Sequence, residues 1–188
     1  MSWLTTGHWV LWNLLLALVP LAIGTAVFLD PRRGRGTAWW LGVVAFVAFL
    51  PNAPYVVTDL IHLHGSLLHD DGAAFVLARY ALLLAGGVGA YIVSIALLHR
   101  WLRLNGKPTW PFEVALHAMC TVGIALGRLF RFNSWDLLVQ PRRVLGAIQV
   151  PTTGHAIVLT AIFVALCLAS IAARALEGTI RVVRPAAD

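Results

Sequence analysis

The sequence contains few charged residues. Asp, Glu, Lys and Arg make up only 12% of its 188 residues, while hydrophobic residues make up 60%. Soluble proteins average roughly 25% charged and about 45–50% apolar residues. Acidic residues are the scarcest charged group, at 8 against 14 basic ones. Together with a mean hydropathy of +0.81, this scarcity excludes an ordinary soluble domain and favours a polytopic membrane protein.

Lysine and cysteine are also nearly absent. Lys107 is the single lysine, and the arginines gather at the ends of apolar runs, as topology signals do. Because the sequence has no compact basic face with interleaved aromatics, we predict no nucleic-acid partner. Cys120 and Cys167 lie inside apolar runs without metal-ligand spacing. We therefore predict no metal site, and no motif indicates a cofactor.

Long apolar runs alternate with polar turns along the chain. Each run is close to the roughly 20 residues that a helix needs to cross the hydrocarbon core. The sequence predicts an all-α membrane helix bundle, a single domain over residues 1–188, with about five transmembrane helices, two of them discontinuous. The predicted spans are residues 9–29, 38–57, 81–98, 112–130 and 156–173.

The second apolar run is too short to cross a membrane by itself. Residues 38–50 would cover about 20 Å as a helix, against a hydrocarbon core of about 30 Å. The span must therefore continue through Pro51-Asn52-Ala53-Pro54-Tyr55. Because proline removes a backbone donor and disfavours helix before it, we predict a broken helix. Asn52 would cap the new segment, with Pro54 in its first turn.

Polar residues share one face of this second segment. Helical spacing places Tyr55, Asp59, His62, Ser66 and His69 within one sector. A metal site built from this acidic and histidine-rich stretch, which ends in Asp70-Asp71, is the less favoured alternative. His64 points to the opposite side, and no HExxH motif is present.

The fourth run is short too and leads directly into charged residues. Arg128 and Arg131 lie one helical turn apart, and Asn133 with Asp136 resembles a capping pair. Small residues form faces on two runs, where we expect a neighbouring helix or a second copy of the chain to pack. These glycines are Gly86, Gly87 and Gly89 on the third run and Gly123 and Gly127 on the fourth.

The distribution of arginines predicts the topology. We expect a multi-pass protein of a bacterial cytoplasmic (inner) membrane, with the N-terminus outside and the C-terminus in the cytoplasm. The second and fourth spans then run in the same direction and break near their outer ends. Because charges inside a membrane pair with one another, we expect Asp59 and His62 to meet Arg128, Arg131 and Asp136 in a cavity near the outer leaflet.

Two stretches resemble a known family. They are Leu50-Pro51-Asn52-Ala53-Pro54-Tyr55-Val56-Val57-Thr58-Asp59-Leu60-Ile61-His62-Leu63 and Gly127-Arg128-Leu129-Phe130-Arg131-Phe132-Asn133-Ser134-Trp135-Asp136. Both are similar to the bacterial membrane family labelled domain of unknown function 1361. The resemblance covers most of the chain and implies a membrane location. It implies no catalytic roles, because that family has no established activity.

The first hypothesis for the function is binding or processing of an anionic lipid-type head group. Arginines one turn apart would hold a phosphate or carboxylate, and Asp59 and His62 would act as base and acid. The other predicted binding residues are polar or aromatic neighbours in the two motifs. The substrate-binding set is Asn52, Tyr55, Arg128, Arg131, Asn133 and Asp136. Alternatively, Asp59 is only the counter-ion that locks two helices together.

Two other classes of function remain open. Glu113, His117, Thr121 and Arg128 share one helical stripe, which would suit a proton- or ion-coupled transporter of a small solute. His117 would otherwise form hydrogen bonds between helices. A non-catalytic accessory or scaffold protein, partnered through the glycine faces, is the third possibility.

Overall fold

The computed structural model describes residues 3–30, 35–69, 72–128, 132, 139–148 and 153–183. Within these ranges the chain forms helices and turns, without strands. The helices are α1 (Trp3–Phe28), α2 (Thr37–Phe49), α3 (Asn52–Tyr55), a 3-10 helix (Val56–His62), α4 (Leu63–His69), α5 (Ala73–Leu104), α6 (Trp110–Arg128), α7 (Pro141–Ile148) and α8 (Thr153–Val183).

Five helical stretches in this part of the chain are long and apolar enough to cross a membrane. They are Val10–Phe28, Thr37–Leu68, Ala73–Leu104, Trp110–Arg128 and Thr153–Leu176. The predicted all-helical bundle with five spans is confirmed. The second stretch extends to Leu68 rather than ending near Val57. The second predicted discontinuity, after Arg128, falls on residues that the structure does not describe.

Large apolar side chains cover the outside of the bundle. Trp12, Leu41, Ile61, Leu68 and Ile157 are each more than half exposed. In water such a surface would be very unfavourable, because each exposed side chain of this size forgoes about 1.5–3 kcal/mol of burial free energy. Lipid chains are as apolar as these side chains, so the surface suits a bilayer.

An aromatic cluster joins α1, α2 and α5 at one end of the bundle, which we call the aromatic end. The Phe28 and Phe46 rings meet edge to face with their centroids 5.0 Å apart, and Trp39 stacks on Trp101 at 5.2 Å. The buried indole Nε1 of Trp39 donates a hydrogen bond of 3.1 Å to the Val27 carbonyl. At the opposite end, α1 and α5 begin and α6 ends, and we call it the Arg128 end.

The prediction of a separately capped helix after the prolines is wrong. Pro51 (φ −59°, ψ −24°) keeps the right-handed helical conformation. Asn52 does not cap α3, whose N-cap is Pro51. Its Nδ2 instead donates a hydrogen bond of 3.1 Å back to the carbonyl of Phe49. The amide thus supplies a donor where prolines leave carbonyls short of one, and the chain keeps its direction.

Backbone pairing tightens where Pro54 has no N–H to offer to the Leu50 carbonyl. Ala53 donates to that carbonyl instead, at 3.2 Å. This is the three-residue spacing of a 3-10 helix, which the chain adopts fully from Val56 to His62. The interruption is therefore a change of helical pitch at membrane depth.

Glycines on two neighbouring helices, α5 and α6, pack closely against the segment from Pro51 to Val56. A Cβ on Gly87 of α5 would lie 2.2 Å from Val56 Cγ2. On α6, a Cβ on Gly123 would lie 3.0 Å from the Pro51 ring, and one on Gly127 would lie 3.1 Å from the Tyr55 ring. These glycines pack within the chain, while packing against a second copy of it stays a prediction.

Candidate functional site

An ion pair links α6 to the 3-10 helix at the Arg128 end. The Nη2 of Arg128 contacts the Oδ1 of Asp59, and its Nε donates a hydrogen bond of 2.9 Å to the hydroxyl of Thr58. The Cζ of Arg128 lies 5.1 Å from the centre of the Tyr55 ring, within cation–π range. Asn13 of α1 donates from Nδ2 to the other oxygen of Asp59 at 3.1 Å. We call these five residues the Arg128 site.

The two charges of the pair differ in exposure. The Asp59 side chain is 2% exposed, whereas that of Arg128 is 24% exposed. Both carboxylate oxygens of Asp59 accept a hydrogen bond, so its charge is compensated despite burial. The guanidinium uses Nε and Nη2, and its Nη1 contacts no hydrogen-bond acceptor in the described part of the chain.

The pitch of the 3-10 helix places these side chains. With three residues per turn, residues three apart lie directly above one another. Tyr55 and Thr58 therefore form one row, and Asp59 and His62 form the next. The Thr58 hydroxyl donates to the Tyr55 carbonyl at 2.6 Å and accepts from Arg128 Nε, which fixes its orientation.

The structure brings together part of the predicted site. Asp59, Tyr55 and Arg128 are in contact, as their spacing and topology predict. His62 shares a row with Asp59 but is exposed, and Asn52 is occupied by the Phe49 carbonyl. The remaining predicted residues lie outside the described residues. They are Arg131, Asn133 and Asp136.

Sequence reasoning missed two members of the site, Asn13 and Thr58. Both are neutral, and a search for charged residues in apolar runs passes over them. A signal was present for Asn13, because it is the single carboxamide within the first apolar run. A carboxamide at that depth needs a polar partner, since an unsatisfied one is costly in hydrocarbon. No comparable signal marks Thr58.

A second polar cluster lies toward the aromatic end, where α5, α6 and α8 meet. The buried carboxylate of Glu113 accepts bonds of 2.8 Å and 2.6 Å from the Nη2 of Arg174. The Nε2 of His99 lies 3.5 Å from one Glu113 oxygen, and the Nε2 of His117 lies 3.9 Å from the other. We call these four residues the Glu113 cluster.

His117 links three helices through both ring nitrogens. Its Nδ1 lies 2.6 Å from the Tyr91 hydroxyl of α5, and its Nε2 lies 2.6 Å from the Ser170 hydroxyl of α8. Interhelical hydrogen bonding by His117, one of the two roles predicted from the sequence, is therefore present. On the predicted polar stripe of α6, Ile124 is buried between Thr121 and Arg128. The transporter role stays a prediction.

The described residues contain no group of side chains suited to binding a metal ion. Among them, no set of three or more His, Cys, Asp or Glu side chains could hold a metal ion. In the acidic and histidine-rich stretch, His62 and His64 are exposed. Asp70 and Asp71 of that stretch are outside the described ranges.

Comparison with known proteins identifies a family to which most of the chain is matched. Residues 12–170 match the family model described as a protein of unknown function, DUF1361. This range contains both stretches on which the resemblance rests, the whole Arg128 site, and every residue of the Glu113 cluster except Arg174. No curated protein and no solved structure matches the chain.

Proposed function

We propose a binding function for this chain, which belongs to the DUF1361 family of proteins of unknown function: its Arg128 site holds the phosphate or carboxylate of an anionic head group. The observation that carries the proposal is the pattern of hydrogen bonds and the exposure of the Arg128 guanidinium. Arg128 is anchored through Nε and Nη2 and is 24% exposed, and its Nη1 contacts no acceptor among the described residues.

The chemistry of guanidinium supports an anionic ligand. Arginine presents five N–H donors in a rigid plane, and two of its edges match the spacing of carboxylate or phosphate oxygens. Thr58 and Asp59 occupy the edge formed by Nε and Nη2. A ligand oxyanion would bind at the Nη1 edge, and the ring of Tyr55 would limit rotation of the guanidinium.

The surroundings of the site are cationic. The short helix α7 connects the fourth and fifth spans, so it lies at the Arg128 end, and it exposes Arg142 and Arg143. It buries Val144 completely, which suits an amphipathic helix lying at the membrane interface. Such arginines attract anionic head groups. In the topology that we propose, this end faces outward from a bacterial cytoplasmic membrane.

Asp59 acts as a positioning residue in this proposal. Both of its carboxylate oxygens accept hydrogen bonds and its side chain is 2% exposed, so a substrate proton would have to share an oxygen with Arg128 or Asn13. A general base must lie within hydrogen-bond reach of the proton that it takes. The geometry thus supports binding better than acid–base catalysis by Asp59 and His62. If the ion pair only held two helices together, that role would explain the contact of Arg128 with Asp59. It would give the Nη1 edge of the guanidinium no role.

Lipid retention tests the proposal. The full chain would be reconstituted in nanodiscs that contain either phosphatidylglycerol or phosphatidylcholine. After release from the nanodisc, the lipid molecules that stay bound would be counted by native mass spectrometry. We expect wild type to retain phosphatidylglycerol. Arg128→Lys should weaken binding about tenfold, since loss of the fork costs roughly 1.4 kcal/mol. Arg103→Lys, an exposed arginine of α5 at the aromatic end, is the matched control and should bind like wild type.

Competition with inorganic phosphate distinguishes a small oxyanion from a lipid head group as the ligand. If inorganic phosphate displaces the lipid from wild type, a small oxyanion is the ligand and the lipid tail contributes little. If phosphate has no effect, the head group is recognised as part of a lipid. Equal retention of phosphatidylglycerol by Arg128→Lys and wild type would refute the proposal. Should the lysine variant fail to fold, equal retention of both lipids by wild type would refute it as well.

A further inference from the structure

The Glu113 cluster holds more basic groups than one carboxylate requires. Glu113 lies in the first turn of α6 and is 5% exposed, and both histidines of the cluster are 1% exposed. With His99 and His117 neutral, the carboxylate and Arg174 cancel. A buried histidine that serves packing alone needs no carboxylate beside it, yet here two of them flank Glu113.

A proton on either imidazole would leave the cluster with one excess positive charge. An uncompensated charge is costly within a membrane. Arg174 provides a means of relieving this cost, because its side chain is 49% exposed while the side chain of its partner Glu113 is buried. A long, partly exposed arginine can extend its head group to the interface and leave its stem on the apolar surface. The exposed arginine is therefore the replaceable partner.

We propose that the Glu113 cluster is a proton-binding site, in which a proton on His99 displaces Arg174 as the counter-ion of Glu113. His99 is the acceptor because its Nε2 is nearer to the carboxylate, at 3.5 Å against 3.9 Å for His117. The proton comes from water at the aromatic end and becomes an N–H bond of the imidazole. Arg174 keeps its own charge and moves outward, so the buried charge remains balanced. The site is independent of the Arg128 site.

A hydrogen-bonded chain lies beside the carboxylate of Glu113. Tyr91, His117 and Ser170 are linked by two contacts of 2.6 Å, and each member can both donate and accept. The chain can therefore reorient when the charge beside it changes. The titratable groups near the cluster include a phenol and two thiols, which are ordinarily uncharged near pH 7. They are Tyr91 of α5, Cys120 of α6 and Cys167 of α8.

Displacement of Arg174 would have a structural consequence. Its contacts with Glu113 are the ionic connection between α6 and α8 in the described part of the chain. Once that connection opens, α8 remains attached to α6 through the Ser170 hydroxyl and apolar contacts. Proton binding would therefore loosen one transmembrane helix against its neighbour.

Counting bound protons tests the site. The full chain in nanodiscs would be titrated from about pH 8 to about pH 5, a range in which histidine is the main side chain to gain a proton. We expect His99→Asn to bind about one proton fewer than wild type. Glu113→Gln should lose about one as well, because it removes the counter-ion of the imidazolium. His64→Asn removes an exposed imidazole that lies outside the cluster, and it is the matched control for replacing a histidine by asparagine.

A structural role for the cluster gives a different result. If His99 stays neutral, His99→Asn and Glu113→Gln will bind as many protons as wild type, and the proposal is refuted. Should both variants fail to fold, wild type with isotope-labelled histidine decides. The proposal requires an imidazole resonance that titrates while a water-soluble paramagnetic reagent fails to broaden it. Titration confined to resonances that the reagent does broaden would refute it.

Discussion

Gly87→Ala should disturb the Arg128 site from a distance. A Cβ at this position in α5 would lie 2.2 Å from Val56 Cγ2 and 2.7 Å from the backbone oxygen of Ala53. Carbon atoms in contact normally lie about 3.5–4.0 Å apart, so the segment after the prolines must move by about 1 Å or more. The side chain of Val56 is fully surrounded and cannot simply rotate away. Overpacking of this kind costs about 1–3 kcal/mol.

Gly89→Ala is the matched control on the same helix. Nothing lies within 4 Å of a Cβ at Gly89. Both substitutions gain the same helix propensity, about 1 kcal/mol in water, so their difference isolates the steric cost. We expect Gly87→Ala to be less stable than Gly89→Ala by about 1–3 kcal/mol in equilibrium unfolding in mixed micelles, followed by far-UV circular dichroism.

A second measurement connects this packing to the site. Because Ala53 and Val56 precede Thr58 and Asp59, moving them shifts the groups that orient the guanidinium. We therefore expect Gly87→Ala, and not Gly89→Ala, to lose bound phosphatidylglycerol. Equal stability and equal lipid retention in the two variants would show that the close approach at Gly87 is unimportant, and the reasoning would be wrong.

Two further predictions concern the polar contacts. Arg128→Gln should destabilise the protein by about 3 kcal/mol, because the buried charge of Asp59 loses its partner. Asp59→Asn should cost less, because the Arg128 charge that it leaves is 24% exposed. The double variant should cost less than the sum of the two in the same unfolding assay, and additive costs would contradict a direct pairing. Ser170→Ala should cost about 1–3 kcal/mol, since it leaves a buried histidine nitrogen unsatisfied. Ser94→Ala should be nearly neutral, because its buried hydroxyl has no partner among the described residues, and equal costs for both serines would contradict this assignment.

Span length and charge pairing were sufficient to predict the main features from sequence. Hydropathy predicts the five spans because a bilayer has a fixed thickness that each helix must match. The pairing of Asp59 with Arg128 follows from two constraints. Both residues lie at the ends of short apolar runs that run in the same direction, and buried charges require partners.

Local geometry could not be predicted in the same way. Two prolines favour a break, yet the choice between a capped new helix and a 3-10 continuation depends on what can pack beside it. Here Gly87 and Gly123 allow the backbone around the prolines to approach α5 and α6 closely, so the chain stays helical with a tighter pitch. That pitch brings Thr58 to the guanidinium, a contact that α-helical spacing does not predict.

The role of Arg174 was also hidden, for a different reason. An arginine directly after an apolar run has the expected position of a topology signal. In the structure α8 continues to Val183, and Arg174 within it reaches the carboxylate of Glu113. The sequence shows the two charges on different spans, but only the packing of α6 against α8 shows that they meet.

The two polar clusters together fix the position of α6. Glu113 lies in its first turn and Arg128 in its last, about 22 Å apart along the axis. An acid at the start and a base at the end of a helix both interact favourably with its dipole. Each charge is paired with a different segment, Arg174 of α8 and Asp59 of the 3-10 helix. A shift of α6 by one turn would unpair both charges, so the two ion pairs together oppose sliding of α6 along its axis.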